Sequence, residues 1–373
     1  MGTSGQMRVN LLDPGLLVMG GHHLEYDLRV VRELAARGIE TNVYSHVQVS
    51  AEVRAAVTAS AQLTALFRIS PYRDWSKIDL LSGEMTSFLD GAVTLAEDLT
   101  RVEKAELWMW PSIYAPQLYA CALAKPSVAL SGCIHTEPTF MAPNGRMWWR
   151  YAFLKAREAG LMLNIGAHLP ALEQEYSPLT SDGRISRFPV AHDGAPSGVC
   201  KTELRKIGFF GYQRPEKGAA LLPSLVPQLL HDGHEVIVQD SGEFVRAIPT
   251  QGLTVLPYVP SLANEIAKCD LIVAPYDPAA YRTKGSGIVW DALASGVPVI
   301  APAGTAIGTL VQSNGAGILF GALEADDVYR SILEARRNYE RISRAAFRAS
   351  LEWCSRHGIR HFVSAMLAKP QIE

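Results

Sequence analysis

Short apolar runs alternate with longer segments of helical period along almost the whole chain. Residues 9–12, 40–44 and 107–110 have the length and composition of buried strands, and residues 24–37 have the period of an amphipathic helix. Gly38 follows that helix, in the position where a glycine commonly ends one. This alternation predicts a parallel sheet with helices on both faces.

The alternation pauses between residues 188 and 203, where proline, glycine and small polar residues are frequent. It resumes at 206–210, and long helical segments run from about 326 to 368. We therefore predict two similar α/β halves, joined by a linker and facing each other across a cleft. In sheets of this kind, ligands bind beyond the carboxyl ends of the strands.

Composition narrows the classes of protein that need to be considered. The chain has 373 residues with 35 Lys+Arg against 37 Asp+Glu, so no basic excess points to nucleic-acid binding. Its five cysteines are scattered without a C-x-x-C, which argues against a disulfide framework or a zinc knuckle. No apolar run reaches the roughly 18 residues of a membrane span. We expect a soluble, cytoplasmic protein.

The first candidate loop follows the first predicted strand and contains Gly20 and Gly21 directly before a helix. Glycines let backbone N–H groups approach a ligand, and a helix N-terminus favours anions. A tight structural turn explains the same residues equally well. The adjacent His22 and His23 point in different directions, so no metal site is predicted there.

Two stretches of the second half carry a stronger pattern. Residues 211–218 (Gly-Tyr-Gln-Arg-Pro-Glu-Lys-Gly) follow a strand, so Lys217 can face a diphosphate, although a solvated turn is the alternative. A Gly-Ser-Gly at 285–287 opens a helix and offers N–H groups to a phosphate. Asp291, a turn further on, can accept two ribose hydroxyls or can simply be a surface carboxylate. The pairing of both stretches in one half favours a nucleotide site.

These stretches resemble glycosyltransferase family 4, within the GT-B superfamily. Residues 211–218 resemble its G-R-x-x-x-E-K-G loop, and 283–300 resemble its E-x7-E helix followed by A-x-x-x-G-x-P-V-I. The paired glycines before the first helix and the segment 134–136 fall in the family's order. The resemblance implies two Rossmann-like domains, acceptor-side at 7–189 and nucleotide-sugar-binding at 204–350, with a linker at 190–203. It also implies a C-terminal helix, 351–373, that crosses back to the first domain.

The resemblance assigns roles residue by residue. It implies that Lys217 binds the donor diphosphate, that Asp291 binds the ribose and that the catalytic His135 lies beside the reacting sugar. Tyr212 replaces the family's loop arginine, and Thr283 replaces its first acid, so Arg214, Arg282 or Lys284 would have to supply a missing charge. The implied donor-binding residues are Gly20, Gly21, Gly211, Tyr212, Lys217, Thr283, Lys284, Gly285, Ser286, Gly287, Ile288 and Asp291.

The activity so implied is a retaining, hexosyltransferase-like transfer from a nucleotide sugar, as in polysaccharide biosynthesis. No D-x-D motif is present, so we expect neither a metal nor any cofactor besides the donor. The acceptor stays open between a glycan, a lipid-linked sugar and a small molecule. Two alternatives also stay open: a nucleotide-sugar epimerase and a degenerate, non-catalytic binding or scaffold protein.

Residues 144–157 form a basic helical segment that suits an anionic membrane surface at the inner face of a membrane. Three arginines share one stripe and two aromatic residues flank it: Arg146, Arg150, Arg157, Trp149 and Phe153. The preferred interpretation is an ordinary helix that packs three other side chains inward, namely Trp148, Tyr151 and Leu154.

Overall fold

The chain forms two compact α/β units in a computed structural model. The model describes residues 7–19, 22–70, 81–180, 185–197, 199–240, 244–245, 248, 251–257, 259 and 261–368. The first unit comprises Met1–Ala191 with Ile359–Glu373, and the second comprises His192–Gly358.

The first unit is built on a seven-stranded parallel sheet in the order β3-β2-β1-β4-β5-β6-β7. Its strands are β1 (Arg8–Asp13), β2 (Glu40–His46), β3 (Gln62–Phe67), β4 (Leu107–Trp110), β5 (Ala129–Ile134), β6 (Leu163–Ala167) and β7 (Ser186–Arg187). Its helices are α1 (His22–Ala36), α2 (Ala51–Thr58), α3 (Leu81–Leu99), α4 (Ala115–Ala124), α5 (Gly145–Glu158) and α6 (Pro170–Tyr176).

The second unit is built on a six-stranded parallel sheet in the order β10-β9-β8-β11-β12-β13. Its strands are β8 (Lys206–Phe209), β9 (Glu235–Gln239), β10 (Leu253–Leu256), β11 (Leu271–Val273), β12 (Val299–Pro302) and β13 (Gly317–Phe320). Its helices are α7 (Leu222–His231), α8 (Leu262–Lys268), α9 (Gly287–Ser295), α10 (Ala306–Ser313), α11 (Ala325–Arg337) and α12 (Tyr339–Arg356).

The last helix, α13 (Ile359–Leu367), belongs to the first unit. Phe362, Val363 and Met366 are fully buried in the core that Val9 and Leu11 of β1 also form. Burying a side chain of this size stabilises a fold by roughly 2 kcal/mol. The C-terminal segment therefore completes the core around the first sheet.

The two predicted Rossmann-like halves are confirmed, and so is the parallel pairing within each. The sequence pattern did not predict three of the strands, namely β3, β7 and β13. In β3, an edge strand, the side chains of the first four residues alternate between exposed and half-buried, and β7 has only two residues. In β13, Gly317 interrupts the apolar run. Glycine is required at this position, because a Cβ would lie 1.8 Å from the Val299 carbonyl oxygen. All five cysteines are free, as expected.

Helix α5 packs by a different face from the one predicted. Trp148, Trp149 and Phe153 are buried, whereas Tyr151 and Leu154 are 40% and 45% exposed. The aromatic residues thought to flank the arginine stripe therefore point into the core. Contact of 144–157 with a membrane stays a prediction. Within the described residues, no helix has the length and apolarity needed to span a bilayer.

Candidate functional site

The loop after β8 turns sharply at Gly211, whose φ of +91° favours glycine. Its N–H donates to Gln239 Oε1 at 2.8 Å, at the carboxyl end of β9. Gln213 Nε2 donates to the carbonyl oxygens of Gly211 (3.2 Å) and Gln239 (3.0 Å). Two glutamine side chains thus satisfy the backbone groups of the turn and hold it at the edge of the sheet.

A second glycine fixes the position of Lys217. Pro215–Lys217 form a 3₁₀ turn that ends at Gly218, with φ +71°. A Cβ on Gly218 would lie 2.1 Å from the Pro275 carbonyl oxygen, so only glycine lets the loop lie against the segment after β11. The Lys217 ammonium lies 5.7 Å from the centroid of the Tyr276 ring. It also lies 2.8 Å from where a Cβ on Gly211 would be.

The N-terminus of α9 lies beside the same loop. Ser286 caps the helix through a long bond from the Val289 N–H (3.5 Å), and its Oγ is 3.1 Å from Tyr276 Oη. Burial raises the pKa of Tyr276 to about 12, so its hydroxyl stays neutral. A Cβ on Gly211 would lie 3.5 Å from Ile288 Cγ1. The structure therefore brings together the Lys217 cation, the Gly211 turn and the first-turn N–H groups of α9.

An anion can bind where a lysine and a helix N-terminus meet. The first N–H groups of a helix, here those of Gly287 and Ile288, have no partner within the helix itself. Gly285 is required by packing, because a Cβ there would lie 2.1 Å from Trp290 Cζ2. Thr283 is buried and Lys284 is half-buried beside this helix start.

The remaining predicted donor residues lie in different surroundings. Asp291 is 1% exposed, which excludes the surface-carboxylate alternative. Tyr212 is 64% exposed. Arg214 lies over the Tyr212 ring and pairs with Glu216 at 3.7 Å, so its charge is already partly compensated. Gly20 and Gly21 lie outside the described residues.

In the first unit, the predicted catalytic His135 follows β5 and is half-buried. Its Nε2 lies 2.7 Å from the Pro111 carbonyl oxygen, which can only accept, so Nε2 carries the proton. Burial lowers the pKa of His135 to about 4, so the ring is neutral at pH 7. Nδ1 is then left as an acceptor, and His135 can bind a substrate hydroxyl but cannot donate to a substrate oxygen.

A buried Asp–His pair, which the sequence pattern did not reveal, lies near His135. Asp13 ends β1, and its Oδ2 lies 2.6 Å from Nδ1 of His23 in the first turn of α1. Asp13 Oδ1 accepts the N–H of Gly15 at 2.7 Å. Burial lowers the pKa of His23, but the Asp13 carboxylate outweighs that effect and the net shift is upward. Burial raises the pKa of Asp13, and His23 in turn brings it below its ordinary value.

Asp27, one helical turn after His23, completes this cluster. Neither carboxyl oxygen of Asp27 has a hydrogen-bond donor within the described part of the chain. Burial and the neighbouring Asp13 carboxylate raise its pKa well above the ordinary value. A protonated Asp27 can donate to Asp13, which explains how two acids share one buried site. In the sequence, the i, i+4 spacing of His23 and Asp27 was the signal that could have indicated this cluster.

Three potential metal ligands, Cys133, His135 and His168, lie with their ligand atoms within 4.8 Å of one another. His168 Nε2 is already 3.0 Å from Tyr26 Oη and 3.4 Å from Cys133 Sγ. Burial raises the pKa of the Cys133 thiol strongly, which keeps it protonated. Hydrogen bonds to His168 therefore account for the close approach of Cys133 and Tyr26 in this cluster.

Comparison with known proteins finds a family model that matches part of the second unit and solved structures that share the fold of the whole chain. Residues 205–338 match the family model described as glycosyl transferases group 1. No curated protein matches the chain by sequence. Many solved structures match its fold, over nearly the whole length of the chain.

Three of these structures illustrate the similarity. The glycotransferase of kitacinnamycin is 16% identical, with a TM-score of 0.60, and the match covers 96% of this chain and 98% of that one. Anabaena HepE in complex with UDP-glucose is 14% identical, with a TM-score of 0.63 and coverage of 97% and 98%. The spinosyn rhamnosyltransferase SpnG, complexed with thymidine diphosphate, is 15% identical, with a TM-score of 0.59 and coverage of 97% and 100%. The chain has the GT-B fold of glycosyltransferases.

We predict unequal losses of stability for two substitutions in the buried acid cluster. Asp13→Asn breaks the pair with His23, and breaking a buried pair typically costs about 3–5 kcal/mol. Asp27→Asn keeps a donor toward Asp13, so its cost at pH 7 should be within about 1 kcal/mol. Urea unfolding of both variants measures the two free energies of unfolding. Equal losses would contradict a protonated Asp27.

The pH dependence of the same pair has a defined sign. The His23 contribution is fully present below its unfolded pKa of 6.5 and is lost as pH rises through the raised folded value. The Asp13 contribution is present above 3.8 and is lost as pH falls through the lowered folded value. The difference in free energy of unfolding between the parent and Asp13→Asn should therefore be largest between pH 3.8 and pH 6.5 and should decrease at alkaline pH.

Proposed function

We propose that the protein is a retaining glycosyltransferase that moves a hexosyl group from a nucleotide sugar to an acceptor. The observation that carries this proposal is the meeting of Lys217 with the N-terminus of α9 beside the Gly211 turn. This is a site for a diphosphate on the unit that matches the glycosyltransferase family model. The nucleotides in the similar structures, UDP and thymidine diphosphate, are the first ligands to test.

The main requirement of this reaction is stabilisation of the leaving group. The acceptor oxygen forms a bond to the anomeric carbon, the bond from that carbon to the diphosphate oxygen breaks, and the hydroxyl proton leaves with the diphosphate. Negative charge grows on the diphosphate, where Lys217 and the α9 N–H groups stabilise it. Retention means that the product keeps the anomeric configuration of the donor, which NMR of the product measures directly.

The departures from the family pattern define the alternative. Tyr212 is exposed and lacks the positive charge of the arginine that it replaces, and Arg214 is paired with Glu216. Among the described residues, Lys217 is the cation that lies against the Gly211 turn. A non-catalytic nucleotide-binding protein would retain binding without transfer. An epimerase would convert the donor to an isomer without any acceptor. Product analysis with and without acceptor separates all three activities.

Lys217→Met tests the diphosphate site, because it keeps the aliphatic stem beside Gly211 and removes only the charge. Losing a desolvated charge partner costs roughly 2–5 kcal/mol, which corresponds to about 30- to 3000-fold weaker nucleotide binding. Arg214→Ala is the matched control, since it removes a cation of the same loop that is exposed and paired; its binding should be nearly unchanged. Calorimetry over UDP, GDP, ADP and TDP and their sugars measures both. Parent-like binding by Lys217→Met would remove the loop from the site.

His135→Ala should lower turnover by roughly 100-fold, the scale of one positioned catalytic contact, with little change in nucleotide affinity. Because the pKa of His135 is about 4, the parent's dependence on this ring should show no titration between pH 6 and pH 8. Steady-state rates across that range measure both effects. Unchanged turnover in a folded variant would exclude His135 from the reaction.

Activity should survive treatment with EDTA. Lys217 and the helix N–H groups supply positive charge to the leaving group, so the proposed step needs no divalent cation. Transfer is measured before and after chelation, with added Mg²⁺ or Mn²⁺ as the control. Activity that disappears with EDTA and returns with either metal would refute this account of leaving-group stabilisation.

A further inference from the structure

Helix α5 exposes a row of apolar side chains on the face opposite its buried one. Met147, Tyr151 and Leu154 are 44%, 40% and 45% exposed. At about 100° per residue, their i, i+4 and i+7 spacing places them within about 60° of one another around the helix axis. Trp149 and Phe153, the aromatic residues that the sequence pattern placed beside the arginines, are buried instead. Isolated exposed apolar residues are ordinary, but a continuous row of them is a candidate interaction surface.

Tyr151 is held at the centre of this row by its neighbours. Its ring stacks on that of Tyr119 in α4, with centroids 5.4 Å apart and planes 17° from parallel. The Lys155 ammonium lies 5.9 Å from the centroid of the Tyr151 ring. A tyrosine suits the boundary between water and lipid, because its ring is apolar and its hydroxyl is polar. The central member of the row therefore has the chemistry of a membrane interface.

Two exposed arginines border the same row. Arg150 lies three residues after Met147 and four before Leu154. Arg157 lies three residues after Leu154, so both arginines neighbour the row on the helix surface. Neither forms an ion pair within the described part of the chain, whereas the other basic residues of α5 each pair with a glutamate, namely Arg146 with Glu175 and Lys155 with Glu158. Positive charge that no carboxylate neutralises thus lies along the apolar row.

An apolar row bordered by such arginines fits an anionic lipid surface better than a protein partner. Three side chains that are each less than half exposed present far less area than the roughly 800 Å² per partner of a stable protein interface. A bilayer sets no such minimum, because shallow insertion of a few side chains adds to the attraction between arginines and lipid phosphates. Guanidinium groups also donate two hydrogen bonds to one phosphate, which holds the helix at the headgroups.

We propose that the outward face of α5 binds an anionic bilayer and lies on it as an interfacial helix. Arg150 and Arg157 contact lipid phosphates. Met147, Tyr151 and Leu154 enter the boundary between headgroups and acyl chains. The proposal goes beyond the transfer reaction and does not depend on it. The full-length protein, without nucleotide, should sediment with mixed vesicles of phosphatidylcholine and phosphatidylglycerol, and much less with vesicles of phosphatidylcholine alone.

Substitution of the two arginines tests the electrostatic part of this contact. Arg150→Gln/Arg157→Gln should bind the mixed vesicles about 30-fold more weakly, a loss of about 2 kcal/mol, since two arginines near an anionic surface are removed. Arg341→Gln/Arg348→Gln in α12 is the matched control. It removes the same charge from two exposed arginines that also lack an ion pair among the described residues, so its binding should stay close to that of the parent.

Leu154→Ser tests the apolar part of the contact. It should weaken binding to the mixed vesicles about tenfold, a loss of about 1.4 kcal/mol, because the leucine side chain no longer leaves water on insertion. Leu351→Ser in α12 is the matched control, since Leu351 is 52% exposed and lies on a different helix. Both leucines are exposed, so the Tm of both variants should stay close to the parent value.

Raised salt should release the parent from the mixed vesicles, because it screens the attraction between arginines and phosphates. Failure of the parent to bind these vesicles at low salt would overturn the proposal. So would equal losses in the α5 and α12 variants, which would indicate general electrostatic adsorption. A second copy of the chain is the other occupant to test. A dimer in sedimentation velocity without lipid, dissociated by Leu154→Ser, would assign the row to that copy and overturn the proposal as well.

Discussion

The close approach of Gly218 to the Pro275 carbonyl determines where the cation of the second unit lies. The loop after β8 can rest on the segment after β11 only because residue 218 has no Cβ. That contact sets the position of Lys217 relative to Tyr276, and Tyr276 contacts the cap of α9 through Ser286. A backbone contact thus aligns a side-chain charge with a helix terminus, which is the arrangement that the proposed diphosphate site requires.

In the first unit, burial rather than a backbone contact determines the properties of the polar groups. Asp13, His23 and Asp27 share one site in which the two acids have opposite pKa shifts. His135 nearby is kept neutral by burial, with its Nε2 proton committed to a backbone carbonyl. A neutral hydrogen-bond acceptor beside a charged, buried pair is suited to the role proposed for His135, the binding of a substrate hydroxyl.

The sequence was sufficient to predict the two parallel α/β units, because strand and helix periods are local properties of the chain. The same pattern located the Gly211 and Gly285–Gly287 segments, since glycines before a helix leave a local signature. It could not locate the Asp13–His23 pair, because these two residues lie ten positions apart and their contact forms only in the folded chain. The inward face of α5 was also mispredicted, because burial of Trp149 rather than Tyr151 depends on tertiary packing.

The placement of α13 has a consequence for how the protein is made. The second unit is one continuous stretch of chain, whereas the first needs Phe362, Val363 and Met366 to close its core. During synthesis from the N-terminus, the first sheet can form early but keeps an uncovered apolar surface until α13 emerges. The core of the first unit is thus completed only after the second unit has been made. The stability of the first unit on the ribosome depends on a core that joins residues more than 350 positions apart, such as Val9 and Phe362.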